Sequence, residues 1–132
     1  MSYKMVAVSA ATLAKEKNMQ PYDAWQYAVK EAYPNSKESQ KKSCPRNAFL
    51  GLCSSGKVKG IPKDKYTSSS LNKQYAMEAL YILSVNPHSS FSAAEMWRYV
   101  LADLGANKNK RLNGQMQVVL ALWENDFLIK VS

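Results

Sequence analysis

Slid against itself by 70 positions, the chain lays AFLGLCSSGKVKGI, from Ala48, on VVLALWENDFLIKV, from Val118. Phe49 meets Val119, Leu50 meets Leu120, Leu52 meets Leu122, Cys53 meets Trp123 and Val58 meets Leu128. Upstream, DAWQYAVKEAY falls on EMWRYVLADLG at an offset of 72, with Trp25 against Trp97. A chain that repeats itself this way is built from one supersecondary unit used twice. In each copy an apolar helix gives way to a tight turn and then an extended piece.

Apolar periodicity fills in the rest of each copy. The first half reads as helices over about 4–17, 21–33 and 44–54. Pro21 suits a first helical position, Ser43 a cap, and Pro45 the first turn that follows it. The segment NSKESQKK reads as a polar connector, Gly56 as the turn residue, and KVKGI as extended chain. The linker PKDKYTSSS then leads into helices over about 70–85, 93–104 and 114–124, with Ser92 and Asn113 as caps and FLIKV as a terminal strand. Ala93, Met96, Trp97, Val100, Leu101 and Leu104 keep the spacing of one buried helical stripe.

Helix, helix, helix, turn and extended exit is the order of a helix-turn-helix with a C-terminal wing. The expected fold is therefore mainly α. Two degenerate winged-helix-like units, helices plus short β wings, pack into one small domain, with residues 1–65 as the first half and 66–132 as the second. The stretch EALYILSVNPHSSFSAAEMWRYVL with NGQMQVVLALWENDFLIKV resembles a winged-helix domain. A second resemblance runs over most of the chain beyond about residue 20. SCPRNAFLGLC, GKVKGIP and NGQMQVVLALWENDFLI give the pattern CPxxAFLGLC…GxVxGIP…QMxVVLALW. With LNKQYA, these segments look like an uncharacterised family of small bacterial and phage-associated proteins, a domain of unknown function. That resemblance implies no activity and passes on no functional residue.

Charge is the second constraint. Of a net +8, residues 37–65 alone carry +6. A local excess of this kind favours polyanions, phosphate backbones first. On the winged-helix reading, Arg46 and Asn47 stand at the first turn of a groove-reading helix. Lys57 and Lys59 project from the same side of its wing, and Lys41, Lys42, Lys63 and Lys65 flank it. In the second unit Lys108, Lys110 and Arg111 precede the third helix, while Asn113, Gln115 and Gln117 surround its start, within reach of phosphates and base edges. Its turn is acidic, with Glu124 and Asp126, which would repel a backbone.

The thiols carry no chemistry on this reading. Cys44 and Cys53 lie nine residues apart in one expected helix, on opposite faces and separated by roughly 13 Å along its axis. A disulfide needs Cα atoms within about 7 Å. Two Cys and the single His88 fall short of a zinc site. The helix N-terminus and nearby cations would lower the pKa of Cys44, yet its one possible histidine base lies in the distant NPHSSFS loop. Gly51 to Lys57 mimics a phosphate loop, but Val58 replaces the needed hydroxyl and a helix, not a strand, precedes it. No catalytic residue, metal or cofactor is assigned.

Two functions compete. One is a non-enzymatic nucleic-acid-binding protein, with duplex DNA as the favoured partner. The other is a phage or mobile-element inhibitor or adaptor of the anti-CRISPR or anti-restriction type, whose basic patch meets an acidic protein partner. No apolar run approaches the roughly 20 residues of a membrane span. Ser9 and Thr12 interrupt the apolar N-terminal run that a secretory signal would need, so the expected location is cytoplasmic.

Overall fold

A computed structural model describes residues 2–131. Among them it has seven helices: α1 (Tyr3–Glu16), α2 (Pro21–Ala32), α3 (Lys37–Lys41), α4 (Ser43–Ser54), α5 (Ser70–Val85), α6 (Ala93–Asp103) and α7 (Gln115–Glu124). The caps follow from side chains in the right places. The Ser2, Ser36 and Ser69 hydroxyls accept the N–H groups of Met5, Ser39 and Asn72. Ser92 and Glu95 close a reciprocal capping box on α6. α7 instead starts from Gly114 at φ 87°, while the Asn113 N–H donates to Gln115 Oε1 at 2.7 Å. Asn113 is thus not the side-chain cap expected of it.

The connector expected at NSKESQKK contains α3. Its single buried residue, Gln40, donates from Nε2 to the Tyr33 carbonyl at 2.7 Å, tying α3 to the end of α2. Lys42 both ends α3 and precedes α4, so Ser43 lies inside α4 as its first residue.

The internal repeat reappears bond for bond. After α4, the N–H groups of Ser55, Gly56 and Lys57 donate to the carbonyls of Gly51, Cys53 and Leu52. After α7, the N–H groups of Asn125, Asp126 and Phe127 donate to those of Ala121, Trp123 and Leu122, the same set 70 positions on. Both turns pivot on a left-handed residue, Gly56 at φ 71° and Asp126 at φ 61°. Glycine reaches that region freely, and Asp is one of the few other residues that visits it routinely. The 72-residue offset is equally exact in α1 and α5, where Thr12 Oγ1 donates to the Val8 carbonyl and Ser84 Oγ to that of Leu80. Tyr3 stacks on Trp25, and Tyr75 meets Trp97 edge-on.

The expected β wings are replaced by contact between the two exits. Val58 and Leu128 face each other as an isolated antiparallel bridge. The Lys59 N–H donates to the Phe127 carbonyl at 2.8 Å, and the Ile129 N–H to that of Lys57 at 2.9 Å. These two bonds exchange under the 70-residue shift, so a pseudo-twofold axis passes between the bridged residues. Each exit is extended for too short a length to make a ladder, and no strand is present among the described residues. The result is a small all-α domain.

The halves also interlock elsewhere. α1 of the first half packs on α7 of the second, α5 packs on α4, and α4 lies against α7. One apolar cluster runs through both halves, from Val6 to Leu128, with Trp25, Phe49, Met96 and Met116 fully buried at its centre.

Candidate nucleic-acid interface

α4 and α7 run side by side in the same direction. At one end their exits pair through Val58 and Leu128. At the other, Gly114 abuts Pro45 so closely that a Cβ on the glycine would lie 3.2 Å from the proline Cβ. Two helix N-termini, each carrying the positive end of a backbone dipole, therefore open at one pole.

Basic residues occupy the two segments that lead into these N-termini. Lys41 and Lys42 close α3 and enter α4, and Lys108, Lys110 and Arg111 lie exposed on the segment leading to Gly114. Two of them are seated on equivalent aromatics of the two halves. Lys42 Nζ lies 5.9 Å from the centre of the Tyr3 ring, and Lys110 Nζ lies 5.7 Å from that of Tyr75. The Lys110 carbonyl accepts the Trp97 indole N–H at 2.8 Å, which ties its backbone to α6. Arg46, half-buried, lies over Tyr22 at 5.4 Å. Six of the predicted cations therefore stand on, or within the first turn after, the two segments that enter α4 and α7.

The remaining predicted residues lie elsewhere. Lys57 and Lys59 sit at the far end of α4, with Val58 between them turned into the core. Lys59 Nζ pairs with Asp126 Oδ1 at 2.8 Å, and that bond and charge hold the exposed Asp126 carboxyl below its ordinary value. The acidic turn expected to repel a backbone thus neutralises a lysine of the opposite half. Lys63 and Lys65 line a separate cleft of about 620 Å³, with Asp64 and Lys73, beside the serines that open α5. Lys73 was not among the sequence candidates. It comes there because α5 approaches α4 at Gly51, where a Cβ would lie 2.7 Å from the Lys73 Cα.

The groove-reading residues are engaged inside the protein. Asn47 Oδ1 accepts from the Thr67 hydroxyl at 3.1 Å. Gln115 is 2% exposed and donates from Nε2 to Asn72 Oδ1 at 3.3 Å. Gln117 is half-buried, with its Oε1 enclosed. α4 is buried from Ala48 to Ser54 without a break, and α7 from Val118 to Leu122. Both supposed recognition helices are central core helices with no free flank to lay in a groove. The runs AFLGLC and VVLALW are apolar all round, as helices buried on every side are. Asn113 alone of the polar trio is exposed.

Cys44 and Cys53 are free thiols at the two ends of α4. Burial pushes the Cys53 thiol far up from its ordinary pKa. His88 is exposed in the loop after α5. Among the described residues, no three His, Cys, Asp or Glu side chains group as metal ligands, and no helix is long and apolar enough to cross a membrane.

The chain matches, over residues 1–129, a family described as "Family of unknown function (DUF6979)", and belongs to that family. Neither the curated proteins nor the solved structures include a match.

Proposed function

We propose that this member of the family is a non-enzymatic nucleic-acid-binding protein, with duplex DNA as the favoured ligand, that holds the phosphate backbone on the pole where α4 and α7 begin. The observation that carries this reading is the contact of Gly114 with Pro45, which brings together the starts of α4 and α7 and so the two segments, distant in sequence, that carry Lys41, Lys42, Arg46, Lys108, Lys110 and Arg111. Cations and helix dipoles act in the same sense on a phosphate. The interface is a backbone-contacting surface and not a helix inserted in a groove, so binding is weakly dependent on sequence. Each half keeps a helix-turn-helix-like order, α1–α2–α4 and α5–α6–α7, used here to build a shared core.

Fluorescence anisotropy with a short labelled duplex tests it. Replacing Lys41, Lys42 and Arg111 together by Ala lowers affinity by about tenfold or more at low salt, while Lys57→Ala with Lys59→Ala leaves it nearly unchanged. The reverse pattern overturns the assignment.

A further inference from the structure

On a chain with 18 basic and 10 acidic residues, one groove combines two carboxylates with several exposed aromatic rings. It has a volume of about 510 Å³ between α5 and α6, and Tyr81, Val85, Phe91 and Tyr99 line it together with the carboxylates of Glu95 and Asp103. No Lys or Arg contributes to its wall. Tyr81 and Tyr99 are about half exposed, at 46% and 53%. Phe91 meets Tyr99 edge to face at 5.9 Å, which fixes the Tyr99 ring.

The carboxylates are held in place without a cation. Glu95 Oε1 accepts the Ser92 N–H at 2.9 Å as part of the capping box, and those bonds keep it ionised. Arg98, one turn along α6, acts on Glu95 in the same sense but less than the Ser92 hydrogen bonds do. Asp103 faces Glu78, and burial together with this second carboxyl raises the Glu78 pKa. Neither ion pair found among the described residues, Lys4–Glu124 or Lys59–Asp126, involves any of the three.

The fold does not require these aromatics. At the 72-residue offset the groove between α1 and α2 has Ser9 where Tyr81 stands and Leu13 where Val85 stands, and it keeps Tyr27 for Tyr99 and Glu31 for Asp103. The same architecture stands with one aromatic there, so the surplus in the second half belongs to the surface.

We infer that the α5–α6 groove docks an arginine-bearing segment of a partner protein, its guanidinium set against the tyrosine faces and paired with Glu95 and Asp103. A planar guanidinium both stacks on aromatic rings and bonds carboxylates in a fork, which a compact ammonium does not. Charge complementarity also explains why the groove stays acidic on a basic protein: it admits a cationic segment that the rest of the surface repels. The inference is independent of the nucleic-acid reading, because no residue of the basic pole enters it.

The test is a titration of ¹⁵N-labelled full-length protein with a capped Gly-Arg-Gly-Arg-Gly peptide, followed by amide chemical shifts. The expected result is a saturable shift confined to the amides around Tyr81, Phe91, Glu95 and Tyr99. Tyr99→Ala, and Glu95→Gln with Asp103→Asn, each weaken binding by threefold or more, about the loss of one exposed cation–π or ion-pair contact. The Gly-Lys-Gly-Lys-Gly peptide binds more weakly, and Tyr99→Ala leaves duplex DNA affinity unchanged. Shifts elsewhere, variants without effect, or equal competition by spermidine overturn the inference. So does a concentration-dependent dimer that places Tyr81 and Tyr99 at its contact, since the occupant is then a second copy of this chain.

Discussion

Lys59 and Asp126, one from each exit of the duplicated unit, join at 2.8 Å beside the bridge that Val58 and Leu128 make. The contact joins the two halves at the point where a wing would otherwise project. On the proposed function this end of the molecule is not the one that holds nucleic acid. A lysine already paired with a carboxylate has little charge left for a phosphate.

Leu128→Ala is predicted to cost about 2–4 kcal/mol, the usual penalty for emptying a buried leucine site. Because α1 packs on α7 and α5 on α4, the loss appears in one cooperative transition. Urea unfolding followed by tryptophan fluorescence and by circular dichroism checks this. Coincident curves with a lowered midpoint are expected, and two separated transitions would show that the halves unfold independently.

The two left-handed turns respond differently to substitution. Gly56→Ala places a Cβ at φ 71°, 3.1 Å from the Lys63 stem, and is expected to destabilise by about 1–2 kcal/mol. Asp126→Gly relieves the equivalent conformation at φ 61° but removes the ion pair, so its thermal midpoint stays close to that of the parent. A parallel melt of the two variants measures the contrast.

Gly51→Ala sets a methyl 2.7 Å from the Lys73 backbone and must push α5 off α4, at about 1–3 kcal/mol. The same strain would shift Lys63, Lys65 and Lys73 relative to one another without touching the pole. Melting falls while duplex affinity per folded molecule holds.

Glu78 supplies the pH test. Its raised pKa means that the fold favours the protonated carboxyl, so this contribution to stability is present below the ordinary glutamate range and is lost as pH rises through the folded value. Glu78→Gln is therefore expected to raise the thermal midpoint slightly at pH 7. The gain disappears near pH 3, below the ordinary glutamate value of about 4.3.

The thiols differ by burial. With native protein, a disulfide reagent such as DTNB is expected to modify Cys44, which is partly exposed, and to reach Cys53 only after denaturant is added. Two equally fast native thiols would contradict the packing of α4.

What the sequence revealed and hid follows physical lines. The repeat at AFLGLC and VVLALW carried the turns and even the register, since it aligned Val58 with Leu128. Nothing local in either exit says that its partner is the other exit, because a single bridge needs no alternating run. α3 was hidden because Lys37–Lys41 has no apolar period, its one buried side chain being Gln40. Among the residues of the proposed interface, clustered charge in the sequence marks Lys41, Lys42 and Arg46. Their neighbours Lys108, Lys110 and Arg111 join them only through the contact of Gly114 with Pro45. Asn47 and Gln115 turn toward Thr67 and Asn72, which no local pattern shows, since polar residues at a helix start read alike whether they face water, a base edge or another loop.

The proposed function places phosphate contacts at one pole, and the salt dependence of duplex binding measures such contacts most directly. Plotted as log K against log salt, the wild-type slope is expected to reflect several contacts. The Lys41→Ala, Lys42→Ala, Arg111→Ala variant should lose close to 0.9 of slope for each contact removed, about 2.7 in all. A slope unchanged in that variant, or binding that ignores salt altogether, would contradict the account.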